Sequence, residues 1–133
     1  MANPFVGTWD TLFDSIVSGN PPGNATLTVT ESFRFDSSGN TLDGMHEGLK
    51  DKQPSTLHGP FDKSTSAWSG RWMNTPTSAE QGDFTLTLGT NKDTFTGTWG
   101  QGSDAQTMAW NGRLRRHHRG IEAKKLSEIP PLH

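Results

Sequence analysis

Along much of this chain polar and apolar residues alternate one for one. The clearest runs are Ala25-Thr26-Leu27-Thr28-Val29-Thr30 and Phe84-Thr85-Leu86-Thr87-Leu88. Residues two apart on a strand share a face, so each run has an apolar side and a Thr side, and β-branched Thr suits an exposed pleat. Clusters of Gly, Pro, Asn, Asp and Ser punctuate the chain at short intervals, among them 18–24, 37–40, 51–54, 62–66, 74–82, 89–93 and 100–105. Between them the pattern predicts eight strands, over about 5–14, 24–35, 41–50, 55–61, 67–73, 83–89, 93–99 and 106–115. No segment before residue 115 has the i, i+3, i+4 spacing of a long amphipathic helix. The expected fold is all-β: an antiparallel up-and-down barrel of about eight strands, with a β-sandwich built from the same meander as the alternative. Closure has the advantage of removing exposed strand edges.

One five-residue pattern occurs four times: aromatic, any residue, Gly, Thr or Arg, then Trp or Leu. The copies are Phe5-Val6-Gly7-Thr8-Trp9, Trp68-Ser69-Gly70-Arg71-Trp72, Phe95-Thr96-Gly97-Thr98-Trp99 and Trp110-Asn111-Gly112-Arg113-Leu114. As strands, all four put an aromatic, a Gly and a large apolar residue on one face. Turned inward, they line a small barrel with indole rings, and Gly70, Gly97 and Gly112 leave space between them. The pattern points to a pocket.

Composition sharpens this in one respect. Only 29% of the residues are hydrophobic and mean hydropathy is −0.71, yet the 133 residues include five Trp and seven Phe, with no Tyr. Aromatic rings bury more area per residue than aliphatic side chains, so a thin but sufficient core is expected in a single domain. Net charge is −2, which favours neither nucleic acid nor a membrane surface. The charge is uneven, however, with six Lys/Arg against two Glu in 113–133 and six against twelve acidic residues before it. The barrel domain is therefore placed at 1–115. A basic tail follows at 116–133, helical over 119–127 and stopped by Pro130-Pro131, either packed outside the barrel or mobile. The basic run 113–119 lacks the interleaved aromatics of a stacking platform, so nucleic acid is not the expected partner. There is no Cys, hence no disulfide or thiolate site. Met1-Ala2-Asn3-Pro4-Phe5 has no signal-peptide character, and no apolar run approaches the roughly 18 residues of a membrane span. A cytoplasmic protein is the expectation, and self-association into a homo-oligomer is compatible with the chain.

With Gly7-Thr8-Trp9 on the first strand, an Arg near the end of the last, and eight strands over residues 5–115, the chain resembles the calycins. These are the superfamily of lipocalins, fatty-acid-binding proteins and avidins. The resemblance implies that Gly7 and Trp9 belong to the closed base. It also implies that Arg113 or Arg115 lies across the indole of Trp9 and hydrogen-bonds the first strand. Arg113 is the better choice if Leu114 faces the core, and Arg115 if the strand end bends inward. The Trp-rich late strands look closest to avidin-like barrels. Biotin is nevertheless not carried over, because the Trp-Leu-Leu signature of the late avidin strand is replaced by Trp110-Asn111-Gly112-Arg113-Leu114.

Candidate chemistry follows from parity. Trp72, Trp99 and Trp110, with Trp68, are the expected ligand-lining residues. His46 faces inward if the row Leu42, Gly44, His46, Gly48 is interior, and outward if Met45 and Leu49 are. His46, His58 and Glu47 are the candidate proton-handling groups. No His-x-His or His-x-x-x-His spacing on these strands suggests a metal, no cofactor motif is found, and the Asp43/Glu47 pair reads as an exposed acidic strand. The expected function is binding of a small, largely apolar or planar ligand. The alternatives are a small barrel enzyme of the cyclase or isomerase type, which shapes an apolar substrate, and a protein-interaction module with a filled core. An inward His beside a cavity favours the first two, and a filled interior the last.

Overall fold

The computed structural model describes residues 3–14, 23–32, 41–47, 55–74, 81–102, 106–115 and 129–130. Eight strands run in chain order: β1 Gly7–Phe13, β2 Gly23–Glu31, β3 Thr41–Glu47, β4 Ser55–Asp62, β5 Ala67–Asn74, β6 Gln81–Leu88, β7 Thr94–Trp99 and β8 Met108–Leu114. Each pairs antiparallel with the next, and β1 pairs with β8, which closes the sheet into an up-and-down barrel. The sandwich alternative is thereby excluded. Among the described residues there is no α-helix, and none long and apolar enough to cross a membrane.

Alternation decides which side chains enter. In β6 and β3 every second residue is buried, giving Gly82, Phe84, Leu86 and Leu88 from one strand and Leu42, Gly44 and His46 from the other. Thr85 and Thr87 fall on the outer face, as a half-exposed pleat requires. Odd-numbered strands run away from the end that holds Phe5, and even-numbered strands run back towards it.

That end is a floor built of rings. Phe5 lies before β1 and is fully buried, with its ring 5.3 Å from Trp9, 5.4 Å from Trp68, 5.6 Å from Phe95 and 6.2 Å from Phe61. The turn that inserts it is held by Asn3, whose Oδ1 accepts from Phe5 N–H at 2.9 Å and whose carbonyl accepts from Val6 N–H at 3.0 Å. The indole N–H of Trp9 then donates to the Phe5 carbonyl at 3.0 Å. In the five-residue repeat Phe5 stands as the first residue of a strand copy. The backbone instead turns at Gly7, whose φ of 147° is open to glycine, and β1 begins there.

The β4–β5 ladder is interrupted between the pairs His58↔Arg71 and Phe61↔Trp68. Pro60 has no N–H to donate, and the Gly59 carbonyl accepts instead from the Trp68 indole at 3.1 Å. The two backbones come so close here that a Cβ on Gly59 would lie 1.8 Å from the Ser69 carbonyl oxygen.

The seam pairs Trp9↔Leu114 through Phe13↔Trp110. Arg115 extends it: its N–H donates to the Thr8 carbonyl at 2.7 Å, and its guanidinium forks onto both carboxylate oxygens of Asp10 and reaches Thr26 Oγ1 at 3.3 Å. The expected stacking of Arg113 or Arg115 on Trp9 is thereby replaced. Trp9 is inside and packs on Phe5 and Phe95, whereas Asp10, the next residue, faces out and offers the guanidinium a carboxylate. Arg113 alternates with inward Gly112 and Leu114, and pairs with Asp93 at 3.8 Å. We expect Arg115→Lys to lower stability by about 1–2 kcal/mol, because Lys cannot reproduce a fork onto a largely buried carboxylate. Urea denaturation of Arg115→Lys beside Arg113→Lys checks this. An equal loss in both would remove any special role for the Asp10 fork.

Part of the tail packs outside: Ile129 is buried, and the Pro130 carbonyl accepts from Asn111 Nδ2 on the outer face of β8 at 3.1 Å. The helix expected over 119–127 and the basic run after residue 115 lie outside the described residues.

Candidate functional site

At the end of the barrel opposite Phe5, β1, β3, β5, β7 and β8 deliver Phe13, His46, Trp72, Trp99 and Trp110 to the interior. Trp72 and Trp99 meet edge to face at 5.6 Å and 84°. His46 lies 4.6 Å from Trp110 and 5.1 Å from Phe13, centroid to centroid. Trp99 pairs with Met108, which makes Trp110 its diagonal neighbour on the same face of the next strand, within reach of a long side chain. All of the candidate residues Trp72, Trp99, Trp110 and His46 are thus brought to one end. Trp68 is not: it is fully buried nearer the floor, packed on Phe5 and Phe84.

The indole N–H groups divide these tryptophans. Trp9 donates to the Phe5 carbonyl, Trp68 to that of Gly59, and Trp72 to that of Gly100 at 3.0 Å. Trp99 and Trp110 are 6% and 4% exposed, and their buried Nε1 atoms have no hydrogen-bond partner among the described residues. A buried donor left unpaired costs about 1–3 kcal/mol, so two at one end of one barrel call for an acceptor.

His46 is inward and 7% exposed, which resolves its parity in favour of the Gly44 row. Burial among rings pushes its pKa down from 6.5 to about 3, so the ring is neutral at ordinary pH. Thr11, on the inner face of β1, lies 3.0 Å from His46 Nε2, and its hydroxyl donates its one hydrogen to the Ala25 carbonyl at 3.0 Å. Thr11 must therefore accept from His46, which assigns the hydrogen to Nε2 and leaves Nδ1 as an acceptor. Thr11 escaped notice in the sequence. The available signal was a hydroxyl residue in the inward row of Trp9 and Phe13.

The other proton-handling candidates are elsewhere. Glu47 is exposed on the outer face of β3. His58 points outward from β4, with Nδ1 2.5 Å from Asp43 Oδ1 in a half-exposed pair. Strand parity separates both from His46 by the thickness of the wall. A His with a pKa near 3 is also a poor general base at neutral pH, where a catalytic pKa near the working pH serves best.

The glycine gaps are filled rather than empty. A Cβ on Gly112 would meet the Phe95 ring at 2.3 Å, and one on Gly44 would meet Trp68 at 2.8 Å. The glycines admit neighbouring rings and so thicken the floor. Gly70 and Gly97 instead mark places where adjacent strand backbones approach closely, at His58 and Thr85. A separate groove of about 500 Å³ lies on the outer face of β3, β4 and β5, lined by Thr41, Thr56, His58, Pro60, Arg71 and Met73. Arg71 there pairs with Asp83 at 3.0 Å and with Gln81. Among the described residues no cluster of His, Asp and Glu could hold a metal ion. Comparison of the chain with protein-family models, with curated proteins and with solved structures gives no match.

Proposed function

We propose that this protein binds a small, largely apolar and planar molecule at the His46 end of its barrel, in the manner of the calycins it resembles. The observation that carries the reading is the pair of buried indole donors on Trp99 and Trp110, which lack the carbonyl partners that Trp9, Trp68 and Trp72 each have. Trp72, Trp99 and Trp110 would be the rings against which a planar guest packs, and among the described residues His46 and Thr11 are the inward polar side chains beside them.

Conservative deletion of the N–H tests this directly. Trp99→Phe and Trp110→Phe keep an aromatic ring and remove an unpaired donor, so the free proteins should lose less stability than Trp72→Phe, which gives up a made hydrogen bond. Titration with a panel of bicyclic aromatics, followed by quenching of tryptophan fluorescence, should show about tenfold weaker binding in Trp99→Phe and Trp110→Phe. Quenching by no member of the panel, or affinities unchanged by both substitutions, would defeat the reading.

A further inference from the structure

The polar atoms at the His46 end specify more than an apolar guest. Two donors, Trp99 Nε1–H and Trp110 Nε1–H, are buried at this end, and no described residue accepts from them. Among the described residues His46 Nδ1 supplies an acceptor, because Thr11 already passes its hydrogen to Ala25 and fixes the other ring nitrogen as the donor. Among the described residues no charge is supplied from the wall: the ion pairs of Asp10, Asp43, Asp83 and Asp93 all lie on outward-facing positions. Two further carboxylates of the described residues at this end are also turned away. Asp14 accepts from Ala109 N–H at 2.8 Å, on the outer row of β8, and Glu47 is exposed. Against the described wall a charged guest would lose its hydration with no counter-charge to replace it.

From this set we infer that the bound molecule is an uncharged planar heterocycle of the cyclic amide class. It accepts hydrogen bonds from Trp99 and Trp110 and donates one to Nδ1 of His46. The inference rests on the reading of this end as a ligand site. It narrows that site from any flat apolar molecule to one with two acceptors and one donor on its rim. The rings of Trp72 and Trp110 then supply faces for stacking, and the edge groups fix the orientation.

The probes are quinazolinone, its N-methyl derivative, naphthalene and naphthoate, which share size and flatness but differ in edge chemistry. Tryptophan quenching gives affinities, and the isotope-labelled indole N–H resonances report which side chains are engaged. Quinazolinone should bind about tenfold more tightly than naphthalene and than its N-methyl derivative, and should shift the Trp99 and Trp110 resonances most. In His46→Phe the advantage over the N-methyl compound should vanish, and should that variant not fold, the same comparison in the native protein still decides. Naphthalene binding as tightly as quinazolinone, or naphthoate more tightly than either, overturns the cyclic amide assignment and leaves an apolar ligand site standing. If no probe quenches fluorescence or moves an indole resonance, both the assignment and the ligand-site reading fall.

Discussion

Replacement of Phe5 by alanine is expected to lower the stability of the protein by about 3–5 kcal/mol, the range for emptying an aromatic site in a packed core. Phe5 has no exposed surface, and its ring touches those of Trp9, Phe61, Trp68 and Phe95 from the axis of the barrel. Those neighbours come from β1, β4, β5 and β7, and each is anchored to a closed sheet that cannot contract freely around a void. The backbone around residue 5 is also tied by Asn3 and by the Trp9 indole, so the turn stays in place and the cavity persists. Urea denaturation measures the loss, with the midpoint falling and the slope against urea unchanged. A loss below about 1 kcal/mol would mean that the floor closes without Phe5.

Acid should destabilise the protein from about pH 6.5 downward, through His46. The unfolded chain protonates this residue from about pH 6.5, whereas the native state holds it neutral down to about 3. Between those values the unfolded state binds the extra proton, so stability falls as pH falls, by about 1.4 kcal/mol per pH unit. At pH 5 the loss from this group alone is roughly 2 kcal/mol. Above pH 6.5 the contribution is fully present and flat. His46→Gln keeps a donor for Thr11 without a titrating ring, and its stability should lose this slope between pH 6.5 and 5. Asp62, whose pKa is lowered by hydrogen bonds from Ser64, adds acid sensitivity of the same sign. That part is common to both proteins and cancels in the comparison. Parallel pH profiles for the native protein and His46→Gln would show that the ring accepts a proton in place.

Much of the architecture is legible in the chain because a strand's two faces repeat every second residue. The Thr-rich alternation of β2 and β6 marks both the strands and their inner rows, and the clusters of Gly, Pro and Asn separate one strand from the next along the sequence. The same parity turns Trp72, Trp99 and Trp110 inward, whereas for His46 it leaves both faces open and the burial of the Gly44 row decides. Parity stops helping where a contact depends on what a neighbouring strand offers. Nothing in Trp110-Asn111-Gly112 says that Phe95 will fill the space over Gly112, since that depends on register between β7 and β8. Phe5 fits the repeat template as a strand residue, yet Asn3 and Gly7 turn the backbone so that its ring enters end-on. Arg115 illustrates the same point, because the Asp10 carboxylate on the outer face is a stronger partner than an indole already enclosed by rings.

The pairing of β1 with β8 also governs how the molecule is made. Asp10 and Arg115 are 105 residues apart, so a chain emerging from the ribosome has its first strand ready long before the last. Until Met108 to Leu114 are released, the nascent sheet has two unpaired edges and an uncovered row of Phe and Trp side chains. Chains stalled or cleaved before β8 would share those sticky edges with one another, and aggregation rather than a loose monomer is their natural fate. Completion of the last strand converts that hazard, in a single step, into a surface with no edge to offer.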